Sequence, residues 1–239
     1  MTTAAAFDRG ASRYDLLVGL NPGYHRELRI AAEALMGRVG HRPGLRLIDL
    51  ACGTGASTKA LHRAAPDGTE VLGLDASHGM LAEADRATWP RTVRFSQAVA
   101  GELDLESLGP GTHHGILACY LYRNVPVVRR DKAGAEVYSL LAPGDWLVVQ
   151  EYAVAGDAKA RLIWDGVCHA VIIPLGVLLD RNHDLYHYLW RSVVDFDSVA
   201  QFADRLVAAG FDNVAHRTAT GWQQGILHTF VARRPRENP

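Results

Sequence analysis

The chain has 239 residues, of which 48% are hydrophobic and 21% charged. That balance excludes a disordered or fibrous protein and suits one domain with a full core. Lys and Arg total 25 against 26 Asp and Glu, a formal net charge of −1, so charge offers no footprint for nucleic acid. The three cysteines, Cys52, Cys119 and Cys168, are too scattered for a disulfide framework or a CxxC metal site, and reduced thiols fit a cytoplasmic setting. Met1 to Ala6 lacks the basic start and apolar run of a secretory signal. The longest uncharged apolar stretch, Ala170 to Leu179, falls short of the roughly 20 residues a bilayer requires, and Pro174 and Gly176 interrupt it. No transmembrane segment is expected.

Residues 1–40 read as a polar arm leading into a helix over Tyr24 to Met36, which Gly37, Gly40, Pro43 and Gly44 punctuate. Leu45 to Leu50 is a short apolar run bounded by glycine, the pattern of a buried strand. A helix over Ser57 to Ala65, a Pro66-Asp67-Gly68 turn and a strand over Glu70 to Leu74 follow. A helix over His78 to Thr88, stopped before Pro90, precedes a third strand at Thr92 to Ser96. His113-His114 reads as loop, and Gly115 to Cys119 as the fourth strand. Arg130 to Leu141 is a helix, closed by Ala142, Pro143 and Gly144, and Asp145 to Tyr152 is the fifth strand. Such alternation predicts an α/β fold, a mostly parallel sheet covered by helices on both faces. Residues 156–192 break the pattern with apolar, aromatic-rich helical material and read as an insertion covering the ligand edge of the sheet. A helix over Phe196 to Ala209 and closing strands at Asn213 to Arg217 and Ile226 to Arg233 complete the chain.

The sharpest local signal is Asp49-Leu50-Ala51-Cys52-Gly53-Thr54-Gly55. An acid ends the first strand, and two glycines then let the backbone bend and approach a ligand closely. The helix behind them presents free N–H groups. A second acid, Asp75, ends the next strand, where a carboxylate can accept both hydroxyls of a ribose. Open α/β sheets bind ligands in the crevice beyond such strand ends. A dinucleotide site would carry a third glycine where Thr58 stands, and Asp49 would repel a pyrophosphate. S-adenosylmethionine, with an ammonium, a sulfonium and no phosphate, meets neither objection.

The stretch from about residue 45 to 152 therefore resembles the class I S-adenosylmethionine-dependent methyltransferases, through the acidic-x-x-x-Gly-x-Gly run and Gly73-Leu74-Asp75-Ala76-Ser77 with Met80-Leu81. Further segments are similar to the ubiquinone/menaquinone-biosynthesis C-methyltransferases. These are Phe7-Asp8, Arg13-Tyr14-Asp15, His25-Arg26, Tyr122-Arg123-Asn124-Val125, Tyr186 to Val193, Ala209-Gly210-Phe211 and His228. The resemblance implies a Rossmann-like, seven-stranded sheet with an antiparallel last strand. It implies one methyltransferase domain over 1–239, with an N-terminal helical arm at 1–40 and a helical lid at 156–192. It also implies methyl transfer to a ring carbon of a quinol. Asp49, Ala51, Gly53 and Gly55 would hold the amino-acid end of the cofactor and Asp75 the ribose. Ala76 and Met80 would pack on the adenine, Ala100 and Gly101 would meet it through backbone groups, Tyr120 would flank the methionine portion, and Tyr14 would close over it.

A ring carbon becomes nucleophilic when its neighbouring phenol ionises, and an unperturbed phenol has a pKa of about 10. Arg123 would stabilise the phenolate, Asn124 would orient a water or the ring oxygen, and His228 would accept the proton. A surface ion pair for Arg123 and a plain strand histidine for His228 are the structural alternatives. His183 and His187 share a helix face but have no third ligand in view, so no metal is expected. Trp164, Tyr186, Tyr188 and Trp190 would wall a pocket or fill the insertion's core. Val171 to Leu179 would admit an apolar acceptor tail or form a homodimer contact. Three functional rivals stay open: O- or N-methylation of a secondary metabolite, a non-catalytic S-adenosylmethionine-binding partner subunit, and a nicotinamide-dependent reductase.

Overall fold

The computed structural model describes residues 23–180 and 183–236. Phe7-Asp8 and Arg13-Tyr14-Asp15 lie outside the described residues, while His25-Arg26 falls in the first turn of the first helix. Helix α1 (Tyr24–Val39) leads into β1 (Arg46–Leu50), α2 (Ala56–Ala64), β2 (Glu70–Asp75), α3 (His78–Ala84) and β3 (Val93–Gln97). After the short α4 (Leu105–Leu108) come β4 (His113–Cys119), a 3-10 turn at Tyr122–Asn124, α5 (Val127–Leu140) and β5 (Leu141–Tyr152). The insertion holds α6 (Ala158–Val167), a π-helical turn (Cys168–Ile172), α7 (Ile173–Asp180) and α8 (His183–Val194). Then α9 (Val199–Ala208), β6 (Asp212–Thr218), a 3-10 turn (Gly221–Gln223) and β7 (Leu227–Arg233) close the fold.

The sheet has seven strands in the order β3-β2-β1-β4-β5-β7-β6. Strands β1 to β5 pair in parallel, and β7 runs antiparallel to both β5 and β6. The expected fold class and strand direction therefore hold. Two apolar layers, one on each face, explain why the central strands read as unbroken hydrophobic runs. One layer joins Leu28, Leu35, Leu47 and Leu117; the other joins Ile48, Ile116, Val149 and Phe230.

Several boundaries differ from the sequence expectation, for local capping reasons or for contacts across the sheet. Helix α3 stops at Ala84 rather than Thr88, because the Trp89 indole N–H donates to the Ala84 carbonyl at 2.8 Å. Helix α5 starts at Val127, directly after Pro126, whose missing N–H costs nothing at a helix start. His113 and His114 belong to β4 rather than a loop. His113 is buried, and the His114 ring accepts the Arg46 N–H at 3.0 Å. Ala142 to Gly144 lie within β5 as a bulge between the pairs His113–Leu141 and Gly115–Trp146. Helix α9 begins only at Val199, where Ser198 and Gln201 form a capping box.

Ala158 to Leu178 is long and apolar enough by composition to cross a membrane, with a mean hydropathy of 1.5. One side of it packs on the end of β5, and most of the segment stays exposed. Trp164, Cys168 and Ile173 turn inward and are buried, and the Trp164 ring sits 5.1 Å from that of Tyr152 at the end of β5. Tyr186 of α8 lies so close to Gly176 that a Cβ there would fall 2.4 Å from its ring, which locks α7 to α8. Of the insertion's four large aromatics, Trp164 and Tyr186 are core, while Tyr188 and Trp190 keep partial exposure.

Candidate active site

The first acid, Asp49, is fully buried at the end of β1. Its Oδ2 accepts hydrogen bonds from Ser57 Oγ at 2.7 Å and Thr58 Oγ1 at 2.6 Å, both from the first turn of α2. Thr58, which breaks the dinucleotide pattern, thus clamps the carboxylate. Asp49 Oδ1 is buried and accepts no hydrogen bond from the described residues. Burial pushes the Asp49 pKa up to about 6 against the pull of the two hydroxyls. A buried carboxylate with an idle oxygen lacks a cation or donor, and an ammonium nearby would relieve it.

Between the two acids the backbone bends through Ala51, Gly53 and Gly55, all at positive φ. Ala51 and Cys52 both donate their N–H to the Leu74 carbonyl, at 2.7 and 3.0 Å, tying the bend to β2. A Cβ on Gly53 would meet nothing within 4 Å, so the bend borders open space a ligand can fill. Gly55 is needed for packing as well: a Cβ there would come 2.8 Å from the Trp89 ring. Asp75 spans the same region, accepting the Gly53 N–H at 2.8 Å on Oδ2 and the Ser77 N–H at 2.8 Å on Oδ1. Ser77 caps α3 by accepting the Met80 N–H at 3.1 Å, which fixes buried Met80 beyond Asp75. The Ala76 carbonyl accepts from Gln97 Nε2 at 3.0 Å. Ala100 and Gly101 form a buried turn beyond β3. Glu136 of α5 holds it, accepting the Gly101 N–H at 2.7 Å and the Leu103 N–H at 3.2 Å. Of the candidate donor residues read from the sequence, Asp49, Ala51, Gly53, Gly55, Asp75, Ala76 and Met80 lie at or just beyond the ends of β1 and β2, and Ala100 and Gly101 lie just beyond β3.

The second half of the site lies beyond β4 and β5. Tyr120 adopts a positive φ of 59° and donates its N–H to the Gln150 carbonyl at 2.7 Å. Its ring stacks between Tyr24 of α1 and Tyr152, with centroids 5.7 and 5.2 Å away. With Trp164 these rings make an aromatic column from α1 to the insertion. Arg123 lies beside it, its guanidinium carbon 5.8 Å from the Tyr120 centroid and 6.0 Å from that of Tyr152. Arg123 makes no surface ion pair. It is 8% exposed and pairs with the fully buried Glu151, Nε to Oε1 at 3.0 Å, in an ionic contact rather than an aligned hydrogen bond. Glu151 Oε2 also accepts the Arg123 backbone N–H at 3.3 Å. Burial raises the Glu151 pKa, with Arg123 opposing.

Arg123 Nη1 donates to Asn124 Oδ1 at 3.1 Å and to Ser192 Oγ of α8 at 3.3 Å. Tyr188 Oη donates to the same Asn124 oxygen at 3.0 Å, and Asn124 Nδ2 donates to the Tyr120 carbonyl at 2.8 Å. The insertion therefore docks directly on the Arg-Asn pair. His228 sits on β7 opposite Glu151 in the strand register. It is buried, its Nε2 lies 3.1 Å from the Gly225 carbonyl, and burial lowers its pKa. Sequence reasoning missed Ser57, Thr58, Glu151 and Ser192. For Glu151 a signal existed: a carboxylate following the apolar run Leu147-Val148-Val149 at a strand end.

An acid-ended β1, a glycine bend opening on a helix, an acid-ended β2 and this strand order together define a class I methyltransferase. Residues 2–232 match the ubiE/COQ5 methyltransferase family, and the chain belongs to that family. It is 33% identical over 234 residues to a demethylmenaquinone methyltransferase of Beutenbergia cavernae, covering 97% of this chain and 90% of that protein. It is 32% identical over 213 residues to a ubiquinone/menaquinone biosynthesis C-methyltransferase UbiE of Methylobacterium nodulans, covering 88% and 83%. Among solved structures, a Haemonchus contortus phosphoethanolamine N-methyltransferase 2 in complex with S-adenosyl-L-methionine superposes with a TM-score of 0.69 at 17% identity, covering 96% of this chain and 57% of that one. The [4+2]-cyclase SpnF superposes at 0.68 with 16% identity, covering 98% and 95%. At such identities the likeness is one of fold, and a cyclase in the set shows that the fold alone does not fix the reaction. Family membership makes this chain an enzyme, a methyltransferase whose methyl donor is S-adenosylmethionine.

The residues present fit that donor: an idle buried carboxylate oxygen for an ammonium, an open glycine bend and a second acid for a diol. A donor ammonium held against Asp49 would favour its ionised form, and with the unliganded carboxyl pushed up to about 6, donor binding would then expel a proton in mildly acidic solution. The expected outcome is donor affinity falling by about tenfold from pH 7 to pH 5, with the slope absent in Asp49→Asn. Titration calorimetry across that range decides it; a flat wild-type profile removes Asp49 from donor binding.

Proposed function

We propose that the enzyme methylates a ring carbon of a small quinol-like aromatic acceptor. The observation carrying this reading is the buried Arg123–Glu151 pair, joined to Asn124 and Tyr188 and set against the Tyr120–Tyr152 stack. Such a cluster combines aromatic surfaces with N–H donors suited to a developing phenolate. The relatives named for quinone methylation support the same acceptor class.

Asp49 and the bend through Ala51, Gly53 and Gly55 hold the amino-acid end of the donor, and Asp75 holds its ribose. Ala76, Met80, Ala100 and Gly101 enclose the adenine, and Tyr120 flanks the methionine portion. S-adenosylmethionine supplies an electrophilic methyl on a cationic sulfur whose departure as a neutral sulfide requires no acid. The chain's own work is alignment, which supplies roughly 7–11 kcal/mol in well-oriented systems, and activation of the acceptor. Arg123 stabilises the acceptor's oxyanion, and Asn124 orients that oxygen. His228, kept neutral by burial, takes the phenol proton. The insertion at 156–192 acts as a lid, with the exposed apolar side chains Val171, Leu175 and Leu178 offering a path for an acceptor's hydrocarbon tail. The buried free thiols accord with a cytoplasmic setting.

The test is incubation of the full chain with 13C-methyl-labelled donor and a demethylated naphthoquinol, followed by NMR of the product. The expected signal is an aryl-bound methyl carbon. A methoxy or N-methyl signal, or no label in any ring product, overturns the assignment.

A further inference from the structure

Arg123 poses an electrostatic problem for the donor site. Its guanidinium adjoins Tyr120, and Tyr120 follows β4, which pairs directly with β1 beside Asp49. Cys119, the last residue of β4, pairs in register with Gln150, the residue before Glu151, so the two halves of the site meet across one strand. Strands β1 and β5 flank β4, which puts their ends on the order of 10 Å apart. A bare guanidinium so placed, walled by aromatic rings and screened little by water, repels a sulfonium.

Glu151 answers that charge. It is fully buried, its Oε1 lies 3.0 Å from Arg123 Nε, and its two oxygens also take the backbone N–H groups of Arg123 and Tyr152, at 3.3 and 3.1 Å. These bonds hold the carboxylate at the strand end and prevent its swinging to solvent. Stability does not explain the arrangement: a buried ion pair is commonly replaceable by apolar side chains of similar volume at no loss. We infer that Glu151 is a positioning residue acting through Arg123: its carboxylate cancels the guanidinium charge, so the site retains oriented N–H donors for an acceptor oxygen while admitting a cationic methyl donor. This rests on the reading of the crevice as the donor site and adds a discrimination that reading lacks. Glu151 governs affinity for the cationic donor relative to its neutral by-product.

The test compares three ligands of the full chain by titration calorimetry: S-adenosylmethionine and sinefungin, both cationic at the reacting position, and S-adenosylhomocysteine, neutral there. Glu151→Gln preserves shape and leaves the guanidinium uncompensated. At separations on the order of 10 Å and an effective permittivity of about 20, it should weaken both cationic ligands by about tenfold relative to S-adenosylhomocysteine. The double variant Arg123→Gln/Glu151→Gln, which removes both charges, should return that ratio to the wild-type value. A residue that merely supports the fold would weaken all three ligands alike. Equal weakening, or an unchanged ratio in Glu151→Gln, overturns the inference. If Glu151→Gln fails to fold, Arg123→Gln takes its place: the lone carboxyl, raised by burial, should favour the cationic ligands increasingly as pH rises and it ionises, and a ratio at the wild-type value at every pH overturns the inference. Should none of the three ligands bind the wild-type chain, the reading of the crevice itself falls, an outcome distinct from either of these.

Discussion

Asp75→Ala is expected to weaken S-adenosylmethionine binding by about two orders of magnitude or more. A hydrogen bond to a charged group contributes about 1.5–3 kcal/mol, and a ribose offers two hydroxyls to one carboxylate. The residue has a second task, because Asp75 also takes the N–H groups of Gly53 and Ser77 and so ties the glycine bend to the start of α3. Truncation removes both. Asp75→Asn separates them: the amide keeps the shape and one acceptor oxygen but loses the charge, and its affinity should fall between those of wild type and Ala. Calorimetry with donor and by-product measures this, and both ligands should suffer alike because the ribose is common to them. A loss under about fivefold in Asp75→Ala would mean the ribose lies elsewhere.

Arg123→Ala carries the other large effect, and it has two parts. Removing one member of a buried pair leaves Glu151 as a fully buried, uncompensated carboxylate, which in comparable cases costs about 3–5 kcal/mol of stability. Urea unfolding should show most of that loss, and adding Glu151→Gln should recover part of it. Activity should respond separately. If Arg123 stabilises the acceptor oxyanion, kcat should fall by about a hundredfold or more, the range seen when an oxyanion donor is removed, while donor affinity changes by no more than about tenfold. Assays at a temperature where the variant remains folded separate the two. A variant that loses stability but keeps kcat would leave Arg123 a structural residue and move oxyanion stabilisation to Asn124 or Tyr188.

Asp49 and Asp75 were legible in the sequence because each follows a short apolar run and precedes a glycine or a helix start, a local pattern. The role of Thr58 was not, since its position nine residues past Asp49 matters only once α2 folds back over that carboxylate. Arg123 was visible through its Arg-Asn-Val setting, yet its partner was hidden: Glu151 lies 28 residues away and meets it only when β5 docks beside β4. Strand boundaries failed where pairing overrode local signals. Pro143 and Gly144 read as a terminator, but the neighbouring strand and the Arg234 carbonyl, which takes the Gly144 N–H at 2.8 Å, absorb them into a bulge.

The amino-acid order alone determined the βα alternation, the glycine bend and the two acids, because hydrophobic period, turn chemistry and steric freedom act between near neighbours. Tertiary structure alone decided that β7 inserts between β5 and β6, that Tyr24, Tyr120, Tyr152 and Trp164 align in one column, and that Glu151 neutralises Arg123. Those contacts join residues far apart in the chain, where no periodicity links them, and charge compensation in a dry interior exists only after the elements carrying the charges have packed.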